Sequence, residues 1–146
     1  MTTIPESLIE IREHEEPGYL PLIDYQSWRV ALINYTADYL PEKIDQMQKH
    51  NETDEVFVLL EGQAVLFLGE GGDTVTALHP QVMESKKMYN VKRGAWHCAV
   101  LSRDASILLV ENCDTGTANS DYWPLTTEMR QLIVETARHE QPVWWS

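Results

Sequence analysis

Short apolar runs separated by polar and turn residues recur through most of the chain, and only near the C-terminus do apolar positions take a helical spacing. From Trp28 onward "WRVALINYT", "EVFVLLEG", "QAVLFLGE", "TVTAL", "MYNVKRG", "WHCAVL" and "ASILLVEN" follow one another with short breaks. Their richness in β-branched and aromatic residues suits consecutive strands. The breaks carry turn chemistry. Glu61-Gly62-Gln63 is short enough for a hairpin, and "GEGGD" at 69–73 supplies residues tolerant of positive φ. Seven or eight strands at spacings of roughly 8–12 residues predict an all-β jelly-roll barrel of meandering antiparallel pairs rather than alternating βα units.

The two ends differ from this pattern. Residues 1–27 mix charge with Pro5, Pro17, Gly18 and Pro21, which predicts an irregular N-terminal arm. Over 126–140 the spacing turns helical: Thr126 or Thr127 can cap a segment that places Met129, Leu132, Ile133 and Ala137 on one face, and Pro142 ends it. The last residues, "VWWS", are expected to cover part of the barrel or a subunit contact.

Length and charge narrow the partners. A chain of 146 residues suits one domain with one core. Its 11 basic and 23 acidic residues leave a net charge of −12 with no basic stripe, which argues against nucleic acid and anionic lipid. No segment has the run of apolar residues that a membrane span needs, and no basic leader precedes an apolar stretch, so a cytoplasmic protein is expected. Cys98 and Cys113 form no C-x-x-C pair and are expected to be reduced thiols.

Alternation also decides which ionisable side chains can meet. Gln48 and His50 share one face of a strand; Glu55, Phe57 and Leu59 share a face of the next; His97, Ala99 and Leu101 share a face of a later one. If these faces point inward, an amide, two imidazoles and a carboxylate converge in the barrel, a set that suits zinc, iron, nickel or manganese. Glu52, Thr53 and Asp54 have the composition of a solvated turn. His14, His79 and His139 lie off this spacing and are expected at the surface, and alternation aims Cys98 away from His97.

These residues resemble the two motifs of the cupin superfamily. The first, G-x5-H-x-H-x3,4-E-x6-G, is met as Gln48-x-His50-x4-Glu55-x6-Gly62, with Glu42 at the leading glycine and Gln48 at the first histidine. The second, G-x5-P-x-G-x2-H-x3-N, is met at Gly94 and His97, with Lys86, Lys92 and Leu101 at its other positions. The resemblance implies a single small cupin domain over 1–146, a double-stranded β-helix whose motif-bearing barrel runs over 28–112. It also implies a divalent metal held by His50, Glu55 and His97, with Gln48 in the fourth place.

The function expected from this is metal-assisted chemistry on a small oxygen-rich molecule such as a sugar or carboxylate, of isomerase, lyase, hydrolase or dioxygenase type. The alternative is a non-catalytic small-molecule-binding module with an altered metal site, marked by Gln48. Small cupins resemble half of two-barrel relatives, and this chain has an arm and an aromatic tail that need cover, so a homodimer is expected.

Overall fold

The computed structural model describes residues 3–140, and two five-stranded antiparallel sheets face each other across its core. In chain order the strands are β1 (Gly18–Tyr25), β2 (Trp28–Asn34), β3 (Gln46–His50), β4 (Glu55–Glu61), β5 (Ala64–Glu70), β6 (Ala77–Val82), β7 (Tyr89–Val91), β8 (Trp96–Leu101), β9 (Ser106–Asn112) and β10 (Ser120–Pro124). The first sheet runs β1-β2-β9-β4-β7 and the second β10-β3-β8-β5-β6. This is the expected jelly roll, with hydrogen bonding interrupted between the sheets rather than carried around a closed barrel. Among the described residues no helix is long and apolar enough to cross a membrane.

Two apolar clusters hold the layers. Phe57, Leu59, Leu66, Leu101, Ile107 and Leu109 fill the space between the sheets. Met47, Val65, Phe67, Trp96 and Val100 project from the other face of the second sheet, where α1 (Thr127–Glu140) covers them with Ile133 and Ala137. The helix starts where expected: the Thr126 hydroxyl accepts from the Met129 amide at 3.2 Å. Its buried stripe is Met129, Ile133 and Ala137, while Leu132, expected on the same face, is 47% exposed because a four-residue spacing fits this narrow contact. Pro142 and the "VWWS" tail lie outside the described residues.

Three local expectations change. Irregular backbone is confined to the residues before Gly18, and the rest of the expected arm is β1, paired with β2 from Gly18↔Asn34 to Tyr25↔Trp28 with a bulge near Leu22. The strand expected at 74–78 runs instead over Ala77–Val82, after a turn in which Gly71 takes φ +128. Residues 61–63 make no hairpin, since β4 pairs with β7 and β9 whereas β5 pairs with β6 and β8.

The segment around Gly62 is a corner that carries the chain from one sheet to the other. It lies against the matching corner between β8 and β9: the Gln63 amide donates to Ser102 Oγ at 2.9 Å, and the Ser102 amide donates to Gln63 O at 2.9 Å. Gly62 has φ +73, and a Cβ there would sit 2.6 Å from the backbone of Ala105. Gly62→Ala is therefore expected to cost at least about 2 kcal/mol, combining a left-handed backbone with a steric clash. Urea unfolding checks this; a loss under about half a kcal/mol contradicts the corner's geometry.

Candidate metal centre

Strands from both sheets deliver the site. In the second sheet β3 lies beside β8 with Gln48 opposite His97. Facing them, β4 opens with Glu55, and its buried positions Glu55, Phe57 and Leu59 alternate with half-buried Val56 and Val58 as the sequence implies. The turn between His50 and Glu55 is tied down at several points. The Asn51 amide donates to Asn119 O at 2.9 Å, and Asp54 accepts from the Arg93 amide at 2.7 Å and Asn90 Nδ2 at 3.0 Å. The Arg93 amide, followed by Asn90, holds the exposed Asp54 carboxyl below its ordinary pKa. Gly94, at φ +77, donates its amide to His50 O at 2.8 Å, which fixes the start of β8 and hence the direction of His97.

His50, Glu55 and His97 are all buried, with one candidate ligand atom from each lying within 4.8 Å of the others. Glu55 Oε1 is 3.2 Å from His97 Nε2 and 3.6 Å from His50 Nε2. The two imidazoles meet edge-on at a centroid distance of 5.2 Å, and Phe57 packs edge-on against His97 at 5.9 Å. His97 Nδ1 is 3.0 Å from Ala95 O, and because a carbonyl only accepts, the proton belongs on Nδ1. Held in this way, the ring turns Nε2 toward the Glu55 carboxylate. That nitrogen is sealed from solvent and makes no hydrogen bond despite its closeness to Glu55. His50 Nδ1 is anchored in the same manner, 2.7 Å from Ser120 Oγ.

Imidazoles whose Nδ1 atoms are held by a carbonyl and a hydroxyl, with Nε2 atoms converging on a carboxylate, are oriented as metal ligands are. The cluster is compatible with a divalent metal, and its unpaired His97 Nε2 is the atom such an ion would satisfy. Gln48 lines the same cavity from a half-buried position and offers a neutral oxygen there. The cavity measures about 320 Å³. Of the other residues named above, Glu52, Thr53 and Asp54 form the turn, His79 pairs with Glu70 at the surface, and His14 Nε2 is bonded to Gly18 O. Burial pushes the Cys98 thiol up to about 12, so it has no thiolate character.

The electrostatics reveal a group that motif spacing did not supply. Glu111 on β9 is buried and lines the cavity; its Oε1 accepts from Tyr19 Oη at 2.9 Å and from Arg29 Nη2 and Nε at 2.9 and 3.1 Å. Burial, then a hydrogen bond and repulsion from Glu55, raise Glu111 to about 7, against the pull of Arg29 and Tyr19. Burial alone would raise Glu55 too, but His50, His97 and Glu111 hold it well below the usual carboxylate range. His50 shifts upward, since the Glu55 carboxylate outweighs the burial that disfavours its charge. Strand alternation holds the signal for this pair: Arg29 shares the inward phase of Ala31, Glu111 that of Ile107 and Leu109, and the two stand directly opposite in register. Tyr19 gives no such signal, because its strand is hidden among prolines.

No family model matches the chain, and no curated protein matches it in sequence. Solved structures do match in fold. The nucleoside dehydratase Pac13, described as a β-barrel, aligns over 80% of this chain and 87% of its own at 10% identity, with a TM-score of 0.53. A Streptomyces Pac13 variant with uridine aligns over 88% of this chain and 97% of its own at 12% identity and 0.54. CapF with the inhibitor 3-isopropenyl-tropolone gives 0.53 at 10% identity, over 79% of this chain but only 34% of its own. A Bacillus halodurans protein, BH2720, gives 0.52 at 12% identity over 70% and 74% of the two chains. These are cupin-fold proteins, and with its two facing sheets and the histidines and glutamate of both motifs between them, this chain has the cupin fold.

Proposed function

We propose that the protein binds a divalent metal ion through His50, Glu55 and His97, with Gln48 in the fourth position, and acts on a small oxygen-rich molecule in the adjoining cavity. The observation that carries this reading is His97 Nε2: a buried nitrogen, its tautomer set by Ala95 O, aimed at a carboxylate and left without a hydrogen bond. Two imidazoles and one carboxylate suit zinc, iron, nickel or manganese and leave positions for other ligands. When bound, such an ion supplies a Lewis-acid centre that polarises a carbonyl or holds a carboxylate. The chain's own residues bind and orient: Phe57, Ile33 and Leu109 give the cavity apolar walls, while Gln48, Tyr39 and Glu111 offer polar contacts. Two cupin-fold neighbours are known with uridine and with a tropolone inhibitor, both small oxygen-bearing molecules, which supports this class of ligand.

A second reading has its own observation. Glu55 lies between two imidazoles, and the upward shift of His50 allows an ion pair that satisfies the carboxylate without a metal. A small-molecule-binding module with an altered metal site would look like this. Metal analysis of protein purified without an affinity tag separates the two. The metal reading expects a bound ion, or a rise in melting temperature when Fe²⁺, Mn²⁺, Ni²⁺ or Zn²⁺ is added to the chelated protein. If neither is seen, it fails.

Gln48→His tests the fourth position. An imidazole is a better donor than an amide oxygen toward zinc, so this variant is expected to tighten Zn²⁺ binding by about tenfold or more. Titration of the chelated protein measures it, and unchanged affinity would place the Gln48 side chain away from the ion.

A further inference from the structure

The second sheet is split beside the metal centre. β8 pairs with β5 along its full length, from Ala64↔Leu101 to Gly69↔Trp96, but it meets β3 in register only at Gln48↔His97. On one side of that pair the Gly94 amide closes the gap by donating to His50 O at 2.8 Å. On the other side the strands part, and the space beside Gln46 and Ala99 is a second cavity of about 360 Å³. The single-turn helices Ala37–Tyr39 and Pro41–Lys43 supply Asp38, Tyr39 and Lys43 to its wall.

This cavity adjoins the metal centre. Tyr39, Gln48, His97, Cys98 and Ala99 line both spaces. Along β3 the inward positions Gln46, Gln48 and His50 pass from exposed through half-buried to buried, which lays a polar track from solvent to the cluster. His97, with its sealed and unsatisfied Nε2, stands at the inner end of that track. The Tyr39 hydroxyl at the junction makes no hydrogen bond among the described residues. Burial, then Asp38 and Glu55, raises its pKa, so it remains a donor across neutral pH. The outer end is lined by exposed Asp38, Asp45 and Lys43, whose charged groups make no side-chain hydrogen bond or ion pair among the described residues. Such charges ordinarily form a solvated face, but these rim a cavity that leads to a buried, unpaired nitrogen. Two carboxylates against one ammonium make the space rich in acceptors, and in a chain of net charge −12 that balance disfavours an anion and suits a group that donates hydrogen bonds.

We propose that the ligand is a two-part molecule, with an oxygen-bearing head at His50, Glu55 and His97 and a hydrogen-bond-donating tail that passes Gln48 and Tyr39 into the cavity between β3 and β8, beside Asp38 and Asp45. The proposal rests on the metal-binding reading given above. Calorimetry on the Zn²⁺-loaded chain tests it with three hydroxamates that share a zinc-binding head: acetohydroxamate, which has no tail, and ε-aminocaproyl hydroxamate and adipoyl monohydroxamate, whose tails match in length but end in an ammonium and a carboxylate. The amine-tailed probe is expected to bind at least about tenfold more tightly than acetohydroxamate, since its methylenes gain cover from Ile44 and Ala99. It is expected to bind about threefold to fivefold more tightly than the acid-tailed probe, the scale of an exposed ion pair. Asp38→Asn combined with Asp45→Asn, two near-isosteric changes at exposed positions, is expected to abolish the preference for the amine and leave acetohydroxamate binding as it was. Lys43→Gln is expected to widen that preference, and it serves as the readout if the double variant misfolds. Acetohydroxamate binding with no gain from the amine tail overturns the second cavity's role and leaves the metal site standing; so does a preference that neither folded variant changes. A Zn²⁺-treated chain that binds no hydroxamate overturns the metal reading and this proposal together.

Discussion

In the His97→Ala and His50→Ala variants, added Zn²⁺, Mn²⁺, Fe²⁺ or Ni²⁺ is expected to leave the melting temperature unchanged, whereas the parent chain gains roughly 5–10 °C. The size follows from linkage: an ion at a hundred times its dissociation constant stabilises the folded state by about 2.7 kcal/mol, and each kcal/mol moves the midpoint of a domain this size by about 2–4 °C. Either substitution removes one of only two nitrogen donors from the cluster. The folded state survives both changes, because the main core lies elsewhere between the sheets and under α1. His79→Ala is the control: this exposed residue pairs with Glu70 at 3.3 Å and takes no part in the cluster, so its variant should respond to metal as the parent does. Equal metal content or an equal thermal shift in the His97 and His50 variants refutes the ligand assignment.

Arg29→Met is expected to cost roughly 2–3 kcal/mol at pH 8.5, less than the full loss of one partner from a buried pair because Glu111 can take up a proton in its place. The guanidinium is 16% exposed and Glu111 only 4%, so the carboxylate left behind has little water to turn to. The loss should depend on pH. The pKa of Glu111 is raised from 4.5 to about 7 in the folded chain, so between those values the folded state binds more protons than the unfolded one. The stability it contributes is present below pH 4.5 and fades as pH rises through 7. Arg29 pulls that pKa down, and without it Glu111 stays protonated to higher pH. The gap between parent and variant is thus small at pH 5.5, where a neutral Glu111 needs no cation, and widens above 7. Adding Glu111→Leu should recover most of the loss at pH 8.5, since a pair of apolar residues carries no stranded charge. Urea unfolding in the presence of chelator measures all four combinations. An Arg29→Met variant within about 1 kcal/mol of the parent at pH 8.5 removes the basis for treating Glu111 as a buried, cation-dependent acid.

Strand interiors were readable because alternation is local. Glu55, Phe57 and Leu59 had to share a face whichever strands lay beside them, and so did His97, Ala99 and Leu101. Strand partners are not local. Glu61-Gly62-Gln63 has hairpin composition, yet it turns a corner between sheets, because the contact that decides it is with Ala105 and Ser102 far along the chain. Tyr19 escaped notice for a related reason: Pro17, Gly18 and Pro21 read as irregular backbone, but Pro21 sits in an edge strand next to a bulge, where a missing donor does little harm. Arg29 and Glu111 were visible as charges in the inward phase of apolar strands, and only the register that sets them face to face gives that signal meaning.

The order of strands also has a kinetic consequence. His50 and His97 come from β3 and β8 of one sheet and Glu55 from β4 of the other, and neither sheet pairs β3, β4 or β8 with its nearest neighbour in sequence. Every such pairing closes a long loop before it gains a contact, which slows the search for the native arrangement. The three side chains therefore converge only when both sheets have docked, and a barrier crossed before that docking would leave them apart. A ligand that needs all three of them is then expected to leave the refolding rate unchanged and to lengthen the lifetime of the finished molecule by slowing its unfolding, which stopped-flow refolding and unfolding with and without the ion would measure.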